Sequence, residues 1–238
     1  MTTRERAEIP FEEPRQIRRI LACHDGDHAS RYVVPWARAL ARATQAEVIL
    51  VRILTSSEER VEATRGLQKW AASLERDGVR ARASVAIGAA APEIVRLVEQ
   101  EDADIVVLGS HGRGPFGRVL LGSVADSVKD RVASNVLVAR SPATPRLVLL
   151  ATDDSPECLR ALALGQRLAH AWNAKIVNIH AEPPSSAARG IVAEARGCGA
   201  GLVVVGSRGV GALSSIALGS VSTRVARDAP CSVLVVKE

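Results

Sequence analysis

The sequence predicts an α/β chain of two tandem, doubly wound parallel-sheet domains, the second truncated to about four strands. Three observations predict it. Short apolar runs alternate with amphipathic helical segments along nearly all of the 238 residues, the order a parallel sheet requires. Apolar residues make up 47% of the chain, yet there are only three Trp, two Phe and one Tyr. The core must therefore be Ala, Val, Leu and Ile, as in strands buried on both faces. The chain also repeats itself. Gly109-Ser-His-Gly112 returns as Gly206-Ser-Arg-Gly209, and Leu121-Gly-Ser-Val124 as Leu218-Gly-Ser-Val221, both at an offset of 97. Earlier in each half the offset is 128, where Ile20–Asp25 faces Val148–Asp153. The difference, 128 − 97 = 31, is a deletion from the second half between Ala181 and Arg189.

Each element follows in order. Residues 17–23 (IRRILAC) read as a strand and 29–44 as a helix whose apolar face is Val33, Val34, Ala37, Leu40 and Ala41, with Pro35 near its start. Residues 47–53 (EVILVRI) are a buried strand. Residues 57–76 are a polar amphipathic helix, with Ser56 and Glu59 spaced as a capping box and Asp77-Gly78 as its stop. Alternation over 79–87 suits an edge strand. A helix over 92–101 with proline in its first turn, a strand over 104–109, a helix over 122–133 and a strand over 135–139 complete the half. The second half reads as strand 146–152, helix 156–171, strand 175–181, helix 188–197, strand 201–206, helix 219–228 and strand 231–236. The missing 31 residues correspond to the polar helix and the edge strand, a loss that leaves the sheet unsplit. The expected organisation is a leader over 1–16, a full domain over 17–140, a stiff linker over 141–145 (Ser-Pro-Ala-Thr-Pro) and a truncated domain over 146–238.

Composition excludes several classes of function. The net charge is 31 − 26 = +5 and is dispersed, with no basic block, and the few aromatics argue against a base-stacking surface, so no nucleic-acid partner is expected. Cys23, Cys158, Cys198 and Cys231 form no CxxC pair and read as thiols of a reducing compartment. The first 16 residues lack an apolar signal core and no run approaches 18 apolar residues, which predicts a soluble, cytoplasmic protein with no membrane insertion.

The glycines carry the chemistry. A strand ends at Leu108, and Gly109-x-x-Gly112 follows as a turn able to expose successive amides in an anion-binding nest. Nine residues later Gly122-Ser123-Val124 opens a helix, whose unpaired N–H groups and dipole also favour an anion. Gly206, Gly209, Gly219, Ser220 and Val221 repeat the spacing. The bland alternative, glycines serving only turns and packing, is weakened by the second copy, although duplication alone could carry the pattern along.

This spacing, with an Asp closing the first strand, resembles the ATP-binding class of universal stress proteins, and the resemblance runs from Ile17 to the end as two tandem domains. It implies a sheet of order 3-2-1-4-5 binding ATP at its carboxyl edge. By the resemblance, Asp25 and Asp153 approach the adenosine end, and Gly109 and Gly206 lie by the ribose. Phosphates sit among Gly112, Gly122, Ser123 and Val124, and again among Gly209, Gly219, Ser220 and Val221. By the same resemblance, Ile53 and Ala181 meet adenine through their backbones. The resemblance also implies that the last strands of the two domains pair within the chain; a homodimer of chains is left open. The chain departs from the family at Asp25-Gly26-Asp27, where the family often has D-x-S, kept here as Asp153-Asp154-Ser155. The extra carboxylate disfavours a phosphate unless a divalent ion such as Mg or Mn intervenes. The sequence assigns no metal ligand of its own.

Other readings fit less well. Gly112-Arg-Gly114-Pro-Phe-Gly117 matches a dinucleotide fingerprint but follows the fourth strand and is interrupted by Pro115. His24-Asp25-Gly26-Asp27-His28 holds metal-ligand types, but consecutive residues of one turn rarely converge on one ion. His111, Arg113 and Arg208 flank the expected phosphates. There is no Walker lysine, since Lys69, Lys129, Lys175 and Lys237 never follow glycine, and no residue is set up as a base to activate water. The sequence thus points to a nucleotide-responsive stress or signalling module with no catalytic residue. A nucleotide-independent interaction protein of the same fold, or a slow ATPase, are the alternatives.

Overall fold

The computed structural model describes residues 16–26, 31–110, 122–153, 155–181, 184–207 and 219–237. In chain order these form β1 (Arg19–Cys23), α1 (Val33–Thr44), β2 (Glu47–Leu54), α2 (Arg60–Arg76), β3 (Ala81–Ile87), α3 (Ala90–Gln100), β4 (Ile105–Gly109), α4 (Ser123–Lys129) and β5 (Asn135–Ala139). There follow β6 (Leu147–Thr152), α5 (Pro156–Ala171), β7 (Lys175–His180), α6 (Pro184–Gly197), β8 (Leu202–Gly206), α7 (Ser220–Asp228) and β9 (Ser232–Val236).

All nine strands join in one sheet of order β3-β2-β1-β4-β5-β9-β8-β6-β7. The first five reproduce the expected 3-2-1-4-5, and the last four are the same order with the outermost strand missing. Every pairing is parallel except β5 with β9, which is antiparallel with Leu137 opposite Leu234. That single reversal turns the carboxyl edges of the two halves toward opposite ends of the sheet.

Both faces of the central strands are buried, which explains their unbroken apolar runs. On one face α1, α2 and α5 cover a core that is continuous across the junction, from Ile20, Trp36, Leu40 and Leu74 to Leu150, Leu164, Leu168 and Leu234. On the other face the core is in two parts. Ile94, Leu97 and Val128 pack over the first half, and Ile191, Val225 and Val233 over the second. The outer strands differ accordingly. β3 is an edge strand whose Arg82 pairs with Glu47 at 3.0 Å and also with Glu101, charges that discourage edge-to-edge association. β7 pairs with β6 alone, and its Lys175, Asn178 and His180 are exposed, as the deletion predicts.

Some boundaries shift for physical reasons. The capping box at Ser56 and Glu59 does not form. Glu59 is itself the N-cap of α2, makes no side-chain cap bond, and is held instead by Arg52 Nη2 at 3.3 Å. The helix expected over 122–133 stops at Lys129, and α6 begins at Pro184 rather than 188. The linker residue Ser141 is tied down: its Oγ donates to Gly201 O at 2.8 Å and lies 2.9 Å from Ser232 Oγ.

Candidate functional site

In an open parallel sheet, ligands bind outside the carboxyl ends of the strands where the order reverses. In the first half the order reverses between β1 and β4, which pair directly. In the second half it reverses between β6 and β8. Because β5 and β9 run antiparallel, the two candidate sites lie at opposite ends of the sheet.

In the first half the described members of the predicted set take these places. Asp25 follows β1 and is exposed; Gly109 is the last residue of β4; Gly122 is the N-cap of α4, with Ser123 exposed and Val124 half-buried behind it. Ile53 lies near the end of β2. Val51 O accepts from His24 N, whereas Leu54 O accepts from Gly88 N on the β3 side. Alternate residues of a strand turn their main-chain groups to alternate neighbours. Ile53 therefore turns its N–H and C=O toward the β1 side, just beyond the point where β1 has ended. That is the orientation a backbone contact to a ligand in the crevice requires.

The second site repeats the plan with differences. Gly206 ends β8, and Gly219 is the N-cap of α7, followed by Ser220 and Val221. Its base is pinned: Gly219 N donates to Ser207 O at 2.7 Å, and Ser222 Oγ donates to the same oxygen at 2.8 Å. The first half has Ala125 at the position of Ser222 and lacks that hydroxyl. Asp153 Oδ1 accepts from Ser155 N at 3.1 Å, and Ser155 Oγ accepts from Cys158 N at 3.3 Å as the N-cap of α5. The Asp-x-Ser motif of this half thus shapes the start of a helix. Ala181 N donates to Thr152 O at 2.7 Å, so that N–H is engaged within the sheet.

The described glycines of the motif have ordinary backbone geometry. Gly122 (φ −67°, ψ 151°) and Gly219 (φ −65°, ψ 158°) have extended backbone that any residue adopts. Among the described glycines the positive-φ positions are Gly26, Gly78, Gly88 and Gly199. A special turn conformation therefore does not account for Gly109, Gly122, Gly206 or Gly219. What distinguishes them is the missing side chain, which leaves the backbone open to close approach. The N-cap residue of both α4 and α7 is glycine, so it supplies no side-chain cap to the first-turn N–H groups. Gly112 and Gly209, and with them Asp27, His28, His111, Arg113, Asp154 and Arg208, lie outside the described residues.

Arg52 is the residue that sequence reasoning missed. Its guanidinium packs against the Asp25-Gly26 turn so closely that a Cβ at Gly26 would lie 2.9 Å from Arg52 Cζ. It places a guanidinium, itself paired with Glu59, beside the acidic turn. The one available signal was the charged residue breaking the apolar run EVILVRI. His24 has its ring centroid 6.4 Å from that of Trp70, and its Nδ1 accepts from Gly26 N at 2.9 Å. Burial holds His24 below the ordinary imidazole range, with Arg52 acting in the same direction and Asp25 opposing. In α4 the first-turn carboxylate of Asp126 is met by the buried Lys129 ammonium at 3.1 Å.

Among the described residues no group of three or more His, Cys, Asp or Glu side chains is placed to hold a metal ion. No described helix is long and apolar enough to cross a membrane.

Comparison with known proteins gives the same picture. The profile of the Universal stress protein family matches residues 16–140 and 184–237. Universal stress protein Rv2005c of Mycobacterium tuberculosis is 30% identical over 195 residues, covering 62% of this chain and 65% of that protein. Universal stress protein MJ0531 of Methanocaldococcus jannaschii is 38% identical over 85 residues, 36% of this chain and 48% of that protein. The chain thus spans about half to two thirds of the length of these curated relatives. Among solved structures, a universal stress protein from Archaeoglobus fulgidus superposes with a TM-score of 0.75 at 21% identity, covering 93% of this chain and 99% of that one. A functionally unknown protein of Pseudomonas aeruginosa, PA1789, superposes with a TM-score of 0.77 at 17% identity, covering 93% and 92%. Identities this low speak to the fold, while the profile speaks to descent. Matched by the profile over most of its length and in fold over nearly all of it, the chain belongs to the universal stress protein family.

Proposed function

We propose that the chain binds an adenine nucleotide, ATP, at the carboxyl edge of its first half and serves as a nucleotide-responsive stress or signalling module. The observation that carries this reading is the pair of duplicated glycine positions. In both halves a glycine ends the strand beside the crevice, and a second glycine in ordinary extended conformation opens the facing helix without a side-chain cap. Close backbone approach at a helix start without a side-chain cap suits a polyphosphate. In the first half, Ile53 would meet adenine through its main chain, Gly109 would lie under the ribose, and Gly122, Ser123 and Val124 would hold phosphate together with Gly112. Arg52 would balance the charge near Asp25. Mg or Mn accompanying the phosphates would offset the remaining carboxylates. Bound nucleotide supplies no chemical step in this reading, and no residue is assigned a catalytic role.

The two halves would differ. The second site has lost the strand and helix that would wall its adenine side, and β7 is left as an edge. Apolar burial is worth about 25 cal/mol per Å², so a missing wall costs affinity of order tenfold. One tight nucleotide per chain is expected, in the first half. The test is calorimetric titration of the full chain with ATP, together with absorbance at 260 nm of the denatured, purified protein. Saturable binding near one per chain supports the reading. Absence of binding in both measurements would falsify it and favour a nucleotide-independent interaction protein; steady phosphate release would instead favour the slow ATPase.

A further inference from the structure

Two basic residues at the junction of the halves make reciprocal contacts. Arg140 directly follows β5 and Lys237 directly follows β9, and they are 97 positions apart, the offset of the glycine motifs. Arg140 is buried; its Nη1 donates to Ala229 O at 3.3 Å and its Nη2 to Ala226 O, at the last turn of α7. Lys237 Nζ donates to Lys129 O and Val132 O, each at 2.6 Å, at the end of α4. Lys129 and Val132 are again 97 positions before Ala226 and Ala229, so both cations meet the same pair of carbonyl positions. The main chain repeats the exchange. Arg140 N donates to Ser232 Oγ at 3.0 Å and Lys237 N to Asn135 Oδ1 at 2.8 Å, and positions 135 and 232 also differ by 97. The antiparallel β5–β9 pairing makes this possible, because each strand ends beside the other half's helix. The relation is that of a self-complementary interface folded into one chain, in which i meets j and j meets i.

Resting on the nucleotide reading above, we propose that Lys237 and Arg140 are crossed positioning residues: each anchors, from the opposite half, the helix whose first residues line that half's candidate phosphate site. The last carbonyls of a helix lack intrahelical partners and carry the negative end of its dipole, so a cation held there both satisfies and orients it. Helices as short as α4 and α7 are not stable alone, and tertiary anchors decide where they lie. A short helix moves as a rod. Fixing its last turn fixes where Gly122–Val124 lies relative to Gly109, and where Gly219–Val221 lies relative to Gly206. Burial lowers the Arg140 guanidinium to about 10, so it remains a cation at neutral pH. Each site therefore depends on a residue of the half that does not contain it.

The experiment compares the parent chain with Lys237→Met, Lys237→Arg, Arg140→Met and Arg140→Lys, by hydrogen exchange mass spectrometry and by ATP titration. Lys237→Met should speed exchange over 123–132 by about tenfold while leaving 220–229 protected. It should also weaken ATP binding at the first site roughly threefold to tenfold, with Lys237→Arg restoring both. Arg140→Met should loosen 220–229 instead. If Arg140→Met does not fold, the Lys237 pair decides alone, since that residue sits at the end of the last strand. Exchange changes confined to the half carrying the substitution overturn the proposal. So does loosening of 123–132 with ATP affinity unchanged, which would make Lys237 a structural tie only. If the parent takes up no ATP, the nucleotide reading fails, and the crossed exchange pattern still decides whether the anchors work across the junction.

Discussion

Trp36 of α1 and Trp172 at the end of α5 meet edge to face across the junction, their ring centroids 5.6 Å apart and their planes at 73°. Trp36 Nε1 donates to Ser141 O at 2.7 Å, and Trp172 Nε1 donates to Ala39 O at 3.3 Å. Two of the three tryptophans thus lock a helix of the first half to a helix of the second, each with its indole N–H satisfied.

Removing Trp36, which is fully buried, should be costly. Trp36→Ala is expected to lower stability by roughly 3–5 kcal/mol in urea unfolding. Trp172→Phe keeps an apolar ring but drops the bond to Ala39 O, an expected loss of about 0.5–1.5 kcal/mol. Equal losses for the two variants would show that the junction does not rest on Trp36.

Two glycines within helices should respond with opposite signs. Gly66 in α2 is exposed and a Cβ there would meet nothing within 4 Å, so Gly66→Ala should stabilise by about 0.5–1 kcal/mol. Gly165 in α5 faces the sheet, where a Cβ would run into Leu150 Cδ2 and lie 3.3 Å from Val204 Cγ2. Gly165→Ala should destabilise by about 1–3 kcal/mol. Thermal melts of the two variants check the pair.

His24 makes stability depend on pH. Its imidazole is held below the ordinary range in the folded chain, so the unfolded chain takes up a proton first as pH falls. The contribution is present above the unfolded value near 6.5 and is lost as pH drops through the folded value. His24→Gln should therefore flatten the decline of the urea midpoint between pH 7.5 and pH 5. A parent and variant with parallel profiles would contradict a lowered imidazole at this half-buried position.

The two first-strand carboxylates should separate binding from folding. Asp25 is exposed beside Arg52 in the half proposed to bind nucleotide. Asp25→Ala should lower ATP affinity at least tenfold, about 1.4 kcal/mol. Asp153 accepts from Ser155 N at the start of α5, so Asp153→Ala should lower stability and leave most ATP binding intact. Two equivalent sites in the titration, or loss of binding only with Asp153→Ala, would move the working pocket to the truncated half.

Much of this molecule is legible in its residues alone. Runs such as EVILVRI and IVVLG are apolar because both sheet faces are covered, and the runs and their spacing locate every strand. The jump from 128 to 97 marks the missing strand and helix, and the structure shows β7 at the edge for that reason. The glycine repeat is also readable, since it recurs at one offset, 97, in both halves. Helix starts are less so. The Ser56 and Glu59 spacing suggests a cap that the ion pair between Arg52 and Glu59 displaces, because a side chain follows its strongest partner in space.

By itself, then, the sequence determined the strand and helix periods, the duplication, the deletion and the family, all of which are written in local patterns or in distances along the chain. The tertiary structure alone decided that Arg52 lies against the Asp25-Gly26 turn and that Trp36 finds Trp172. It also decided that Arg140 and Lys237 reach across to each other's helices. Those contacts join residues far apart in the chain, and they depend on the register of one antiparallel strand pair, Val136 to Val138 against Val233 to Val235. A one-residue slip there would turn each side chain to the other face of the sheet. Local periodicity leaves that choice open, and the packing of the two halves settles it.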